Sequence, residues 1–261
     1  MGLRLRGASL AVCLLVLLTP LAEAATFRFV SQNCLHLGWA GFTPTKETTL
    51  ALNFATAQVV VLQEVMAATA MATVTPVGTY TTVVSPLKGN AGYKEIYGFI
   101  IDSFLQPTAV YDYPDTASDF MRPPSAVLLQ PGGGNQSTWV VNYHAIWGKS
   151  SSVRRAEVGK IGNTVNWFTA QTTPVVNRVI IGGDWNLNGT NAAFGAITGM
   201  GYTVAPNTKT SLGKAGTFSQ PYDHCVYNVT VTATGLMPFV SGPWWRANVS
   251  DHLGIYCDVT Y

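Results

Sequence analysis

The chain of 261 residues is 48% hydrophobic and 11% charged, which excludes a disordered protein and leaves enough apolar side chain for a substantial core. Its formal charge of +2 neither demands nor excludes a nucleic-acid partner. It does exclude attraction by bulk charge, so any grip on a polyanion must be local.

Residues Met1 to Ala24 stand apart. Arg4 and Arg6 precede the apolar run Leu10 to Leu18, and Ala22-Glu23-Ala24 has the small-x-small form of a signal-peptidase site. The apolar run is shorter than the ~20 residues a membrane span needs. These features predict a secretory signal over residues 1–24, one domain over 25–261, and an extracellular or periplasmic protein with no stable membrane span. Three cysteines follow the signal, Cys34, Cys225 and Cys257. Export permits a disulfide, and the odd count leaves the pairing open. Absence of a Cys-x-x-Cys pair argues against a structural zinc.

In chain order, a strand is predicted from Thr26 to about Asn33. Thr43-Pro44 opens a helix to about Thr56, with proline at a tolerated first position. Gln58 to Leu62 reads as a buried strand that delivers Gln63 and Glu64. Tyr80 to Val84, Ile96 to Ile101 and Val110 to Tyr113 are further strands, followed by a surface loop holding Asp115, Asp119 and Arg122. Ala126 to Leu129 and Thr138 to Tyr143 are strands joined by the loop Pro131 to Asn135. Val158, Ile161, Val165 and Phe168 make one helical stripe, with Arg154, Arg155 and Lys160 near its polar start. Strands around Cys225 to Val231 and Leu253 to Val259 finish the chain. The pattern predicts a two-sheet sandwich with helices outside.

The most informative stretch lies between those last elements. Val179 to Ile181 is a continuous apolar run, Gly182-Gly183 lets the backbone turn sharply, and Asp184 and Asn186 stand at the strand's end. Other strand ends carry similar chemistry: Asn33, Glu64, His144 and Asp251-His252, with Asp223-His224 at the start of another strand. Any one of these has an ordinary structural explanation, such as a helix cap or a satisfied core histidine. Together, carboxylates, histidines and amides suit metal-assisted phosphoester hydrolysis, in which a hard cation takes carboxylate and phosphate oxygens and histidine moves protons. A serine-hydrolase reading is weaker, because no Gly-x-Ser-x-Gly elbow occurs.

The ordered set Gln32-Asn33, Gln63-Glu64, Asn142-x-His144, Gly183-Asp184-x-Asn186, Tyr222-Asp223-His224 and Ser250-Asp251-His252 resembles the endonuclease/exonuclease/phosphatase superfamily over nearly all of residues 26 to 261. Tyr93-Lys94-Glu95-x-Tyr97, Arg122-Pro123 and Tyr222-Asp223 are most similar to its deoxyribonuclease I branch, which includes the catalytic subunit of cytolethal distending toxin. The resemblance implies an α+β fold, a four-layer α/β/β/α sandwich. It implies Mg²⁺, with Ca²⁺ or Mn²⁺ as alternatives, held by Glu64 with help from Asn33 and Asp251. His252, oriented by Asp223, is then the base, and His144, oriented by Glu95, the acid. Asp184 and Asn186 position the phosphate. Tyr93, Arg122, Asn142, Arg154 and Arg155 are expected to bind substrate.

The sequence departs from the pancreatic pattern at Leu35 and Met66, where that branch carries arginines that enter the DNA minor groove. The cluster Lys149, Arg154, Arg155 and Lys160 offers a compensating grip on phosphates. The expected function is a secreted phosphodiesterase acting on DNA as a monomer. The alternative is a phosphatase or sphingomyelinase acting on phosphoinositide or lipid headgroups. Sequons occur at Asn135, Asn188, Asn228 and Asn248, and two of these lie within a few residues of the expected site, which favours chance matches in an unglycosylated chain.

Overall fold

The computed structural model describes residues 25–39, 43–90, 92–133, 136–148 and 150–261. The signal expected over residues 1–24, the loop residues Gly134 and Asn135, and Lys149 of the basic cluster lie outside the described residues. Among the described residues, no helix is long and apolar enough to cross a membrane.

Strands numbered along the chain form two sheets. The first runs β12 (Thr230–Leu236), β13 (Ile255–Thr260), β1 (Thr26–Leu37), β2 (Val59–Val65), β5 (Tyr93–Asp102) and β3 (Tyr80–Val84), with β4 (Lys88–Asn90) also on β5. The second runs β10 (Thr203–Ala205), β11 (Asp223–Tyr227), β9 (Val179–Asp184), β8 (Thr138–His144), β7 (Ser125–Leu129) and β6 (Tyr111–Asp112). Alternate side chains choose alternate layers, as the two-residue period of a strand requires. Phe27 and Phe29 of β1, Val59 and Val61 of β2 and Ile180 of β9 meet between the sheets. Val30, Val60 and Leu62 face outward, under α1 (Pro44–Phe54), α2 (Met71–Val74) and α6 (Gly242–Asn248). On the far side, Val179 and Ile181 lie under α3 (Ser151–Val158), α4 (Ile161–Thr169) and α5 (Gly195–Gly199). This is the four-layer α/β/β/α sandwich that the sequence predicts.

Two elements differ from expectation. The single helical stripe is two helices, because the chain tightens where Gly159, a poor helix former, follows Val158. There Lys160 N–H bonds to Glu157 O rather than one residue further back, which keeps the apolar residues on one side. The expected strand from Cys225 to Val231 is two strands in different sheets, β11 and β12. The chain crosses at Asn228, whose side chain accepts from Val179 N–H and donates to Asn177 O in place of a ladder. Strand β10 and helix α6 are not legible in the sequence pattern. The three cysteines are buried free thiols.

The topology gathers chemistry at one end of the sandwich. Each sheet contains a parallel pair, β1–β2 and β8–β9, joined by a helical crossover. The carboxyl ends of these four strands carry Asn33, Glu64, His144 and Asp184. Ligands bind outside the carboxyl ends of parallel strands, where the backbone leaves the sheet. β5 is antiparallel to β2, β11 to β9 and β13 to β1, so their starts lie at the same end. Those starts supply Tyr93 and Glu95, Asp223, and the Asp251-His252 segment ahead of β13.

Gly182 and Gly183 serve close approach rather than the expected turn, since β9 continues to Asp184 and neither glycine has positive φ. A Cβ on Gly182 would sit 2.5 Å from Phe29 Cζ and 2.8 Å from Ser31 Cβ of the facing sheet. One on Gly183 would strike the Tyr143 carbonyl of β8. Gly182→Ala should therefore lower unfolding stability by about 1–3 kcal/mol in urea titrations, as overpacking does. Gly195→Ala, where nothing lies within 4 Å, is the control and should lose nothing. Equal midpoints for both variants would show that the sheets do not depend on this contact.

Candidate active site

Irregular backbone aims the first group of side chains. The β1–β2 register shifts between Asn33 and Leu37, and the β2–β5 register shifts between Leu62 and Val65. Within these bulges Leu35, His36 and Glu64 take left-handed φ values of 44°, 63° and 56°. Bulges re-aim side chains, and left-handed backbone in non-glycine residues costs energy that the surrounding sheet must hold. Glu64 is thereby turned out of the ladder, where its Oε1 accepts from Asn33 Nδ2 at 2.9 Å. Asn186, also left-handed at 50°, follows Asp184, whose Oδ1 accepts its N–H at 3.0 Å.

Asp184 is the centre of the arrangement. It is 2% exposed, and its Oδ2 accepts from Asn33 Nδ2 at 3.1 Å. The same oxygen lies 3.6 Å from His144 Nε2 and 3.6 Å from His252 Nε2. Each imidazole is held from behind. His144 Nδ1 meets Glu95 Oε1 and Oε2 at 2.9 and 3.1 Å, and His252 Nδ1 meets Asp223 Oδ2 at 2.7 Å. A carboxylate on Nδ1 fixes the tautomer and leaves Nε2 facing the centre. Burial disfavours charge on both rings, and Arg122 disfavours it on His144 too. The surrounding carboxylates still prevail, raising the proton affinity of His144 and lifting His252 well above the usual histidine value. For Glu95, burial is again outweighed, here by His144 and Arg122, and its carboxyl stays below its usual value.

Glu64, His144, Asp184 and His252 border a cleft of about 850 Å³, together with Tyr93, Arg122, Asn186 and Asp251. Burial pushes the Tyr93 hydroxyl upward, with Glu64 and Glu95 adding to the effect. Arg122 is 5% exposed and donates to the carbonyls of His144 and Ala145 at 3.0 and 2.5 Å. Its geometry fixes the His144 strand end as much as it faces the cleft. Asp251 lies 3.4 Å from Arg246 Nη1.

Three residues expected to bind substrate are not brought to the cleft. Asn142 is fully buried beneath it, accepting from Gln63 and donating to the carbonyls of Leu62 and Gly98. Its alternation along β8 sends it between the sheets. Arg154 and Arg155 sit on α3 outside the cleft lining, and Lys160 pairs with Asp119 at 3.7 Å. Conversely, sequence patterning does not mark His36, Trp39, Trp147, Lys214 or Arg246. His36, Trp147, Lys214 and Arg246 line the cleft, and Trp39 stacks on His36 at 4.3 Å. No periodicity singles out such loop residues.

The donor set fits a divalent cation. Asp184, Asp223 and His252 each bring a ligand atom within 4.8 Å of the others, a spacing that admits a metal ion. Glu64 Oε2 and Asp223 Oδ1 are buried oxygens without hydrogen-bond partners among the described residues. Glu64 Oε2 lies 3.3 Å from His36 Nε2. Unpartnered buried carboxylate oxygens are costly, and a hard cation is the group that satisfies them. Asn33 is different: its Oδ1 accepts from Leu35 N–H, so its amide nitrogen faces Glu64 and Asp184. In this orientation it aligns the two carboxylates rather than offering an oxygen.

Among solved structures the fold is shared with D. rerio TDP2 complexed with a single-strand DNA product. The TM-score is 0.66 at 18% identity, covering 91% of this chain and 100% of that one. An endonuclease/exonuclease/phosphatase family protein from Bacteroides thetaiotaomicron gives 0.66 at 12% identity, covering 92% and 99%. The human Nocturnin catalytic domain with bound sulfate gives 0.62 at 16% identity, covering 89% and 93%. The chain therefore has the endonuclease/exonuclease/phosphatase fold. No family model and no curated protein matches its sequence.

The raised histidines predict how the metal-free protein responds to pH. A histidine with raised proton affinity in the fold stabilises it fully below its unfolded value of about 6.5, and that contribution is lost as pH rises through the folded value. In EDTA, the urea midpoint should fall from pH 6 upward. Asp223→Asn removes the nearest charge raising His252, so its midpoint should fall less steeply. Parallel slopes for the two proteins would remove the Asp223–His252 pair as the cause.

Proposed function

We propose that the chain is a divalent-metal-dependent phosphodiesterase that hydrolyses DNA phosphodiester bonds. The observation that carries this reading is one buried carboxylate, Asp184, faced by two imidazoles that each have their own carboxylate behind them. That arrangement gives two proton-transfer groups on either side of one reacting centre. The fold relatives support phosphate chemistry, since one was solved with a DNA product and another with sulfate. Export, the expectation from residues 1–24, would put the reaction outside the cytoplasm.

In this reading the carboxylates that raise His252 are offset when a cation is bound, so that its neutral ring takes the proton of the attacking water, with Asp223 holding the ring and supporting the charge it gains. His144, held charged by Glu95, protonates the leaving oxygen. Asn186 Nδ2, which donates to Ala145 O in the structure, and the cleft-facing part of Arg122 lie where they can steady phosphate oxygens. Mg²⁺, or Ca²⁺ or Mn²⁺ in its place, supplies charge neutralisation at the phosphate when bound. Glu64 is the proposed principal ligand because it lines the cleft with its Oε2 unpartnered among the described residues, whereas Asp223, whose Oδ1 is likewise unpartnered, is outside the lining. Asp251 lies on the same cleft as a second carboxylate, and Asn33 orients Glu64.

The metal assignment separates two variants. Glu64→Gln should move the Mg²⁺ dependence of plasmid cleavage to at least about tenfold higher concentration, while Asp223→Asn should lower the maximal rate with little change in the Mg²⁺ midpoint. The reverse pattern would place the ion among Asp184, Asp223 and His252. Separately, His144→Ala and His252→Ala should each lower turnover by about 10²-fold or more without unfolding the protein. Turnover within a few-fold of the parent in either variant would refute the assigned proton-transfer roles.

A further inference from the structure

Two tryptophans stand exposed beside the site, Trp39 at 48% and Trp147 at 62%. They come from opposite sheets: Trp39 follows β1, and Trp147 follows β8. Each is backed by a second ring. Trp39 stacks on His36 with centroids 4.3 Å apart and planes at 30°, and His36 lies 5.7 Å from Tyr93. Trp147 meets Tyr222 edge-on at 6.3 Å. The Trp147 segment is also pinned from below, because buried Glu157 accepts from Ile146 N–H at 2.9 Å and from Met121 N–H at 3.0 Å. Exposed indoles fixed in this way are preorganised platforms, since little side-chain freedom is lost when a flat group lies on them.

We infer that the cleft takes single-stranded nucleic acid, with a base laid on Trp147 next to the phosphate at Asp184 and a second aromatic contact at Trp39. This rests on the phosphodiesterase reading above and specifies its substrate. In duplex DNA the base faces are covered by their neighbours, so an exposed indole beside the phosphate gains nothing; an unstacked base gains a full ring contact. Of the cations lining the cleft, Arg122 and Arg246 are already engaged, by the His144 and Ala145 carbonyls and by Leu212 O and Asp251. Leu35 lines it without charge, and Arg154 and Arg155 do not reach it. Lys214, an exposed residue of the cleft lining, supplies a cation for a flanking phosphate. Bases on aromatic rings and backbone on a few cations is the usual division of labour in single-strand binding. A lipid-inserting surface would need a continuous apolar patch. Here the apolar residues of the lining are interrupted by Asn90, Ser219, Gln220 and Lys214.

The test compares a fluorescein-labelled oligothymidylate 12-mer with an abasic deoxyribose-phosphate 12-mer, measured by anisotropy in EDTA, where nothing is hydrolysed. The parent protein should bind the base-bearing strand about tenfold more tightly, within the range one stacked base contributes. Trp147→Ala should bring that ratio close to one, and Trp39→Ala should reduce it by a smaller factor. Because Trp147 is largely exposed, its removal should leave the far-ultraviolet circular dichroism spectrum of the backbone unchanged. Equal affinity of the parent for the two strands overturns the proposal. So does a ratio that survives Trp147→Ala, or binding to sphingomyelin vesicles that depends on Trp147 while the oligonucleotide does not bind. Failure of the phosphodiesterase reading looks different: no diester is cleaved with Mg²⁺ although the base-dependent binding in EDTA persists.

Discussion

The structure depends on holding like charges together at a buried place. Asp184 and Glu64 on the cleft floor and Glu95 and Asp223 buried behind it converge, and carboxylates packed so closely would repel one another or take up protons if left alone. Two imidazoles and one amide are interleaved among them. His144 stands between Glu95 and Asp184, His252 between Asp223 and Asp184, and Asn33 between Glu64 and Asp184. Each of these three groups therefore separates two carboxylates. The remaining unsatisfied oxygens, on Glu64 and Asp223, leave the cluster short of positive charge where a cation and a phosphate must enter.

Much of this is legible in the sequence because the chemistry sits at the ends of strands. A run such as Val179 to Ile181 is recognisable from composition, and the residues next in the chain must emerge at the sheet's end. The same reasoning finds Glu64 after Val59 to Leu62 and His144 after the β8 run. Asn142 shows where it fails. Two residues before His144 it shares the strand face of that residue, yet it lies deeper along β8, where that face looks onto β2 and β5 rather than onto solvent. Arg154 and Arg155 show a second failure. Charge clustering marks a helix start but not the direction in which that start points, and here α3 carries it away from the cleft. The aromatic platforms are silent for a third reason: a tryptophan in a loop has no period, and its exposure is set by tertiary packing alone.

Strain also hides from sequence. Glu64 looks like any residue at a strand end, but its φ of 56° places it in a bulge where the ladder to β5 is broken. A regular strand would alternate Gln63 and Glu64 onto opposite faces, and Glu64 would point into the outer apolar layer beside Leu62. The bulge instead delivers both polar side chains usefully: Gln63 inward between the sheets and Glu64 into the cleft. The left-handed backbone at Leu35 and His36 does the same for β1, bringing His36 against Glu64.

What sets the distance between the two halves of the site is a polar bridge inside an otherwise apolar interface. Gln63 Nε2 of β2 donates to Asn142 Oδ1 of β8 at 2.7 Å and to Ser31 Oγ of β1 at 3.2 Å. Asn142 Nδ2 returns to Leu62 O at 2.9 Å and Gly98 O at 3.1 Å. These bonds cross from one sheet to the other directly beneath Glu64 and His144. In a low-dielectric interior such bonds are strong and directional even though Gln63 Oε1 has no partner among the described residues, and breaking one member strands its partners at high cost. Apolar contacts alone would hold the sheets together without choosing a separation, because hydrophobic burial has no preferred direction. The bridge supplies the missing direction, and Gly182 permits the close approach by leaving room for Phe29 and Ser31. Glu64 and Asn33 belong to one sheet, His144 and Asp184 to the other. Their meeting within hydrogen-bond distance therefore rests on the Ser31–Gln63–Asn142 chain below them, which touches no substrate and still fixes where the chemistry takes place.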